Sequence, residues 1–141
     1  MTLPSKRRPK SRAPPKILAT TARVLSAQLK ASRFMKPFFE LASHTGRSEH
    51  KHFKATLVQG DQMMLGVNCL EPGQVQRVHS HADQDKFYYV VEGEGRFTVG
   101  TEVGILGPGT VIWAPAGIDH GVENAGTSRL TVFMGMAPPP S

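Results

Sequence analysis

The sequence predicts an all-β sandwich or barrel that follows a basic N-terminal arm. Short apolar runs recur from about Phe38 onward, at 53–58, 63–70, 74–79, 86–91, 96–99, 110–113 and 129–136, each of strand length. Between them stand Gly60-Asp61, Glu71-Pro72-Gly73, Gly93-Glu94-Gly95, Gly107-Pro108-Gly109 and Asn124-Ala125-Gly126, which supply the fixed or positive φ of tight turns. No apolar stripe of helical period occurs after residue 40, so strands must bury one another.

Residues 1–15 combine five basic residues with Pro4, Pro9, Pro14 and Pro15, a composition that repels itself and cannot cover a core, and disorder is expected there. Over 16–33 Leu18, Ala22, Leu25 and Leu29 share one helical face, with Arg23 and Lys30 away from it. The divisions that follow are 1–34 as a basic, mostly disordered or partly helical extension, 35–137 as the β-domain, and the proline-rich 138–141 as a disordered tail. At 141 residues the chain has room for one domain with a modest core.

The net charge of +6 is unevenly placed. Ten lysines and arginines and no acid fall within residues 1–39; in the rest, seven basic residues against eleven acids leave the body at −4. The overall charge therefore says little about what the body binds. For the arm, a solvated extension without a role is the simplest reading, with an arginine-rich targeting segment or an arm for nucleic acid or membrane as rivals. A single cysteine, Cys69, excludes an intramolecular disulfide framework and suits a reducing, cytoplasmic setting, and its apolar surroundings read as a buried small residue. No run approaches the ~20 apolar residues of a membrane-spanning helix, so no membrane association is expected from the body. Phosphate-cradling loops, nucleophile elbows and paired catalytic carboxylates are missing as motifs.

The informative residues are histidines. His79 and His81 are two apart, which on a strand puts both rings on one face. His120 arrives behind a Pro115-Ala116-Gly117 turn and can complete a three-nitrogen metal site. Three neutral imidazoles suit a divalent transition metal, Fe, Mn, Ni, Cu or Zn, and leave coordination positions open for water or substrate. The second His-x-His, His50 and His52, lies in a charged segment and reads as an exposed loop or strand edge; His44 has no context. By alternation Tyr88 shares a face with Lys86 and Val90, and Trp113 is placed either as a cavity wall or as core.

Written out, Gly73-x5-His79-x-His81-x4-Lys86-x6-Gly93 is followed by Gly109-x5-Pro115-x-Gly117-xx-His120-xxx-Asn124. This pair resembles the two motifs of the cupin family. The second motif matches at every defined position, and the first departs once, at Lys86, where the family most often has glutamate. The resemblance implies a double-stranded β-helix, a jelly-roll-like barrel over roughly residues 38–136, with a pocket lined by His79, His81 and His120. Pro72-Gly73 is expected to lead into the histidine strand, Gly93 to close a hairpin with the next one, and the Pro-x-Gly turn to project His120 inward from outside any ladder. In place of a carboxylate ligand, Lys86 must lose its proton, swing outward, or meet an anion. Gln84 and Asp85, two and one positions off register, are the other oxygen donors at hand.

The reading that follows is a small metal-dependent enzyme of dioxygenase, decarboxylase or isomerase type acting on a small anionic organic substrate, with Lys86 and Tyr88 as proton-transfer or anion-holding groups. A non-catalytic small-molecule-binding or sensor protein with an empty or weakly occupied metal site is the alternative. Nucleic-acid binding through the arm ranks last. A homodimer is expected, since exposed sheet edges gain from being covered.

Overall fold

The computed structural model describes residues 23–24 and 36–141. Of the helix expected over 16–33, only Arg23 and Val24 fall within the described residues, and both are helical. The chain divides after Phe39, and the compact unit Glu40–Ser141 carries the β-structure. It opens with a 3-10 turn, Leu41–His44, closed by Ser43 N–H donating to Glu40 O and by the His44 ring on the same carbonyl.

Nine strands follow: β1 Phe53–Gln59, β2 Met64–Leu70, β3 Val75–His79, β4 Asp85–Glu92, β5 Gly95–Val99, β6 Glu102–Leu106, β7 Val111–Ala114, β8 His120–Glu123 and β9 Leu130–Ala137. They form a five-stranded sheet, β1-β2-β9-β4-β7, and a four-stranded sheet, β3-β8-β5-β6, with every pairing antiparallel. Side chains alternate as a half-buried strand requires. On β4 Lys86, Tyr88 and Val90 are buried, and on β7 Ile112 and Ala114 are. Tyr88, Val90 and Ile112 join Leu70, Phe97, Val122, Leu130, Val132, Met134 and Met136 in one core between the sheets. The seven expected strands are all present, and the fold is the expected double-stranded β-helix.

Four local expectations change. β3 and β4 form no hairpin: β3 pairs with β8, whereas β4 pairs with β9 and β7, so residues 80–84 carry the chain from one sheet to the other. Gly93, at φ +78°, likewise ends a strand at a sheet crossing, because β4 and β5 belong to different sheets. β6 escapes the apolar-run reading because Gly104 splits its short stretch, yet it closes a true hairpin on β5 around Gly100 at φ +58°. β8 escapes it because His120, Gly121 and Glu123 leave a single aliphatic residue, although it is an interior strand between β3 and β5. His120 accordingly sits inside a ladder, opposite His79 on one side and Val99 on the other. Gly121 permits this close pairing, since a Cβ there would stand 3.0 Å from Gln76 O and Val78 N.

The last residues are tied down. Gln84 Nε2 donates to Pro138 O at 3.0 Å and Gln59 Nε2 to Pro140 O at 3.4 Å.

Candidate metal centre

Three elements converge at the mouth of the barrel. β3 ends on His79, the 80–84 crossing carries His81, and β8 opens with His120. The turn ahead of β8 is fixed to its surroundings, with Gly117 N–H donating to His81 O at 2.8 Å, Ala116 N–H to Asp85 Oδ1 at 2.9 Å and Gly100 N–H to Asp119 O at 2.7 Å. Gly117 takes φ +76°, which a residue with a side chain would strain to adopt. The Pro-x-Gly turn thus sets where β8 begins and, with it, where His120 stands against His81.

The ring centroids lie 4.9 Å apart for His79–His81, 4.5 Å for His79–His120 and 5.4 Å for His81–His120, and the three ligand-capable nitrogens fall within 4.8 Å of one another. His79 Nδ1–H donates to Arg77 O at 2.7 Å and His120 Nδ1–H to Ile118 O at 3.0 Å. A carbonyl can only accept, so both rings carry their proton on Nδ1 and present the lone pair of Nε2. The Nε2 atoms of His81 and His120 are buried and have no hydrogen-bond partner. Burial pushes the pKa of both below the ordinary imidazole value, helped by His79 and Lys86 and, in His120, opposed by the bond to Ile118 O. Buried nitrogens without partners on His81 and His120, and rings of His79 and His120 oriented by backbone carbonyls, are what a transition-metal ion requires and what an ordinary packed core avoids. The residues fit the ion, and His79, His81 and His120 can hold it.

Lys86 occupies the fourth register position and does not swing outward. It is 3% exposed, and its ammonium lies 4.7 Å from the centroid of the Tyr88 ring. Burial and then the charge of Lys54 lower its pKa to about 8. Asp85 is not part of the histidine cluster, and its Oδ1 accepts from Ala116 N, whereas Gln84 donates through Nε2 to Pro138 O. Tyr88 lies on the Lys86 face as alternation predicts, fully buried, its hydroxyl donating to Gln76 Oε1 at 2.9 Å; burial pushes its pKa up. Trp113 points away from the cavity and is 55% exposed, because its neighbours Ile112 and Ala114 take the inward positions of β7. His50 is exposed, but His52 is not: it is half-buried, its Nε2 has no partner, and burial followed by Lys54 and Lys86 lowers its pKa.

A cavity of about 220 Å³ lies against the histidines, and Lys54, Thr56, Asn68, Gln76, His79, His81 and Lys86 give it its polar lining, with Met64, Met134 and Met136 as apolar wall. Among the described residues no aspartate or glutamate lines it. Lys54, Asn68 and Gln76 were not singled out from the sequence. Gln76 takes a buried position between exposed neighbours on β3, Asn68 lies in a stretch of β2 that is buried throughout, and Lys54 is exposed on β1, so alternation could have pointed to Gln76 alone.

The Cupin domain family model matches residues 66–135, spanning both histidine segments. The chain belongs to the cupin superfamily. It is 34% identical over 79 residues to an uncharacterized protein of Streptomyces coelicolor, covering 56% of this chain and 73% of that one. Among solved structures, one from Thermus thermophilus matches with a TM-score of 0.72 and 36% identity, over 74% of this chain and all of that one. A protein with a double-stranded β-helix domain from Klebsiella pneumoniae matches with a TM-score of 0.70 and 22% identity, over 74% of this chain and 91% of that one. In this cupin the motif histidines converge, and the motif asparagine serves the scaffold. Asn124 Nδ2 donates to Leu70 O and Ser128 O, and its Oδ1 accepts from Gly126 N.

Proposed function

We propose that this cupin is a metal-dependent enzyme for a small anionic organic substrate. The observation that carries this reading is the pair of buried, partnerless Nε2 atoms on His81 and His120, converging with His79 beside a cavity whose charged lining, among the described residues, is lysine. A divalent ion held there would supply a Lewis acid with open positions. The chain's own residues do the rest. Lys54 and Lys86 give the cavity the charge that draws an anion, the methionine wall limits water, and Lys86 is the group able to exchange a proton near neutral pH. Tyr88 acts through Gln76, fixing the amide that faces the cavity, and is a positioning residue.

The test is elemental analysis and metal titration of the purified protein. About one transition-metal ion per chain is expected, and replacing any one of His79, His81 or His120 by alanine is expected to weaken binding by more than about tenfold. Unchanged affinity in all three variants would remove the reading. A second reading, a binding or sensor cupin without turnover, is favoured by the lysine at the family's glutamate position; turnover by a metal-loaded preparation eliminates it. We extend the proposal to a cytoplasmic protein that pairs with a second copy. Nucleic-acid binding would fall to the basic arm, of which only Arg23 and Val24 are among the described residues.

A further inference from the structure

Lys86 is a buried cation without an anion. It is 3% exposed, and among the described residues no carboxylate, carbonyl or hydroxyl hydrogen-bonds or ion-pairs with it; its ammonium lies over the face of Tyr88, with Lys54 and the rings of His52, His81 and His120 as its electrostatic neighbours. A lysine so placed destabilises the fold, and a fold tolerates that when the amine has a use. Asn68, 4% exposed, lines the same cavity, and among the described residues nothing hydrogen-bonds to its side-chain amide. Lys54 stands at the exposed edge of the cavity on β1. A buried amine, a buried free amide and a mouth cation, with no acid among them, match a molecule that carries both a carbonyl and a carboxylate.

We propose that Lys86 captures carbonyl compounds, its ε-amino nitrogen condensing with the keto or aldehyde carbon of a small oxo acid whose carboxylate is held by Lys54 and Asn68. This deepens the anionic-substrate reading above and rests on it, but does not require the metal. The nitrogen lone pair adds to the carbonyl carbon to give a carbinolamine, and the bond from that carbon to its hydroxyl oxygen then breaks. One lysine ammonium and one carbonyl group give one protonated imine and one water, so hydrogen and charge balance and no oxidant or reductant enters. Desolvation beside a second cation is how a lysine becomes nucleophilic. With its pKa at about 8, about a tenth of Lys86 is free amine at pH 7. The cavity of about 220 Å³ has room for an acid of a few carbons.

The experiment treats the full, chelator-stripped chain with pyruvate and cyanoborohydride, which reduces an imine to a stable secondary amine, and maps the labelled lysine by peptide mass. One adduct on Lys86 is expected, formed at least tenfold faster than with acetone at the same concentration. Lys54→Met is expected to abolish that preference for pyruvate, and Lys86→Met to abolish the adduct. Labelling confined to exposed lysines such as Lys51, with Lys86 unmodified, overturns the proposal; because this is read on the unaltered chain, no variant has to fold. Equal labelling by pyruvate and acetone overturns the carboxylate site. Metal titration of the same preparation without carbonyl reports on the histidines alone, so loss of the metal reading and loss of imine formation are seen separately.

Discussion

Lys86 and Asn124 show opposite ways of burying a polar side chain. Asn124 is fully buried, but its amide joins Leu70, Gly126 and Ser128, so each polar atom is satisfied and the loop after β8 is locked to the end of β2. Lys86 has no such compensation. In the unfolded chain its pKa is the ordinary 10.5, and in the fold about 8. The unfolded state therefore binds more protons between those values, and stability rises with pH across that window. Below pH 8 the penalty is fully present, about 3 kcal/mol at roughly 1.4 kcal/mol per pKa unit. Lys86→Met is expected to raise the unfolding free energy at pH 7 by about 1–3 kcal/mol, the gain shrinking as pH climbs from 8 to 10.5. Urea unfolding of both proteins at pH 7 and pH 10 checks this; a gain equal at both pH values would show that the amine is not held at a low pKa. The anomaly at Lys86 was legible in the sequence, because a motif makes its own exception visible. Its solution was not, since inward direction and missing counter-ions are properties of packing.

At the scale of elements, the glycines at positive φ divide by what surrounds them. A Cβ on Gly93 would collide with the carbonyl of Arg129, at the crossing from β4 to β5, whereas one on Gly117 would meet nothing within 4 Å. Gly93→Ala is expected to destabilise by about 3 kcal/mol or more through combined overlap and strain. Gly117→Ala should lose only about 1 kcal/mol, from strain alone. Thermal unfolding of the two variants distinguishes them, and similar losses would mean that the crossing at Gly93 has room to adjust. The sequence marks both glycines as turns, but not which strands those turns join. Adjacent strands usually pair, so the β3–β4 and β4–β5 links read as hairpins, while closure of two sheets makes them crossings. β8 is hidden for a related reason. Val122 at its centre lies between Phe97 on one side and Gln76 on the other, partners far upstream in the chain, and no local pattern encodes partners so distant.

The β-unit taken whole has an uneven exterior. The outer face of the five-stranded sheet carries Trp113, Val111, Tyr89 and Val91, between 38% and 63% exposed, along β4 and the edge strand β7. Apolar groups gathered at an edge strand favour pairing with another chain. If two copies meet there, Trp113→Glu is expected to shift light scattering from dimer to monomer while leaving metal titration unchanged; an unaltered mass would place any contact elsewhere. That the histidines come together was legible from the motif spacing, though not how: His81 leaves the strand face for the 80–84 crossing, and His120 stands inside a ladder. The cavity was not, for it is made by β1, β2, β3, β4 and β9 together.

Cys69, the chain's single thiol, is 1% exposed on β2, with the Thr131 hydroxyl 3.9 Å from its sulfur. Reagents that alkylate accessible thiols should therefore pass the native protein by. A cysteine introduced at Thr56, an exposed position on the cavity rim, would then be the one place a fluorophore attaches, giving an optical gauge of occupancy that needs no assumption about turnover.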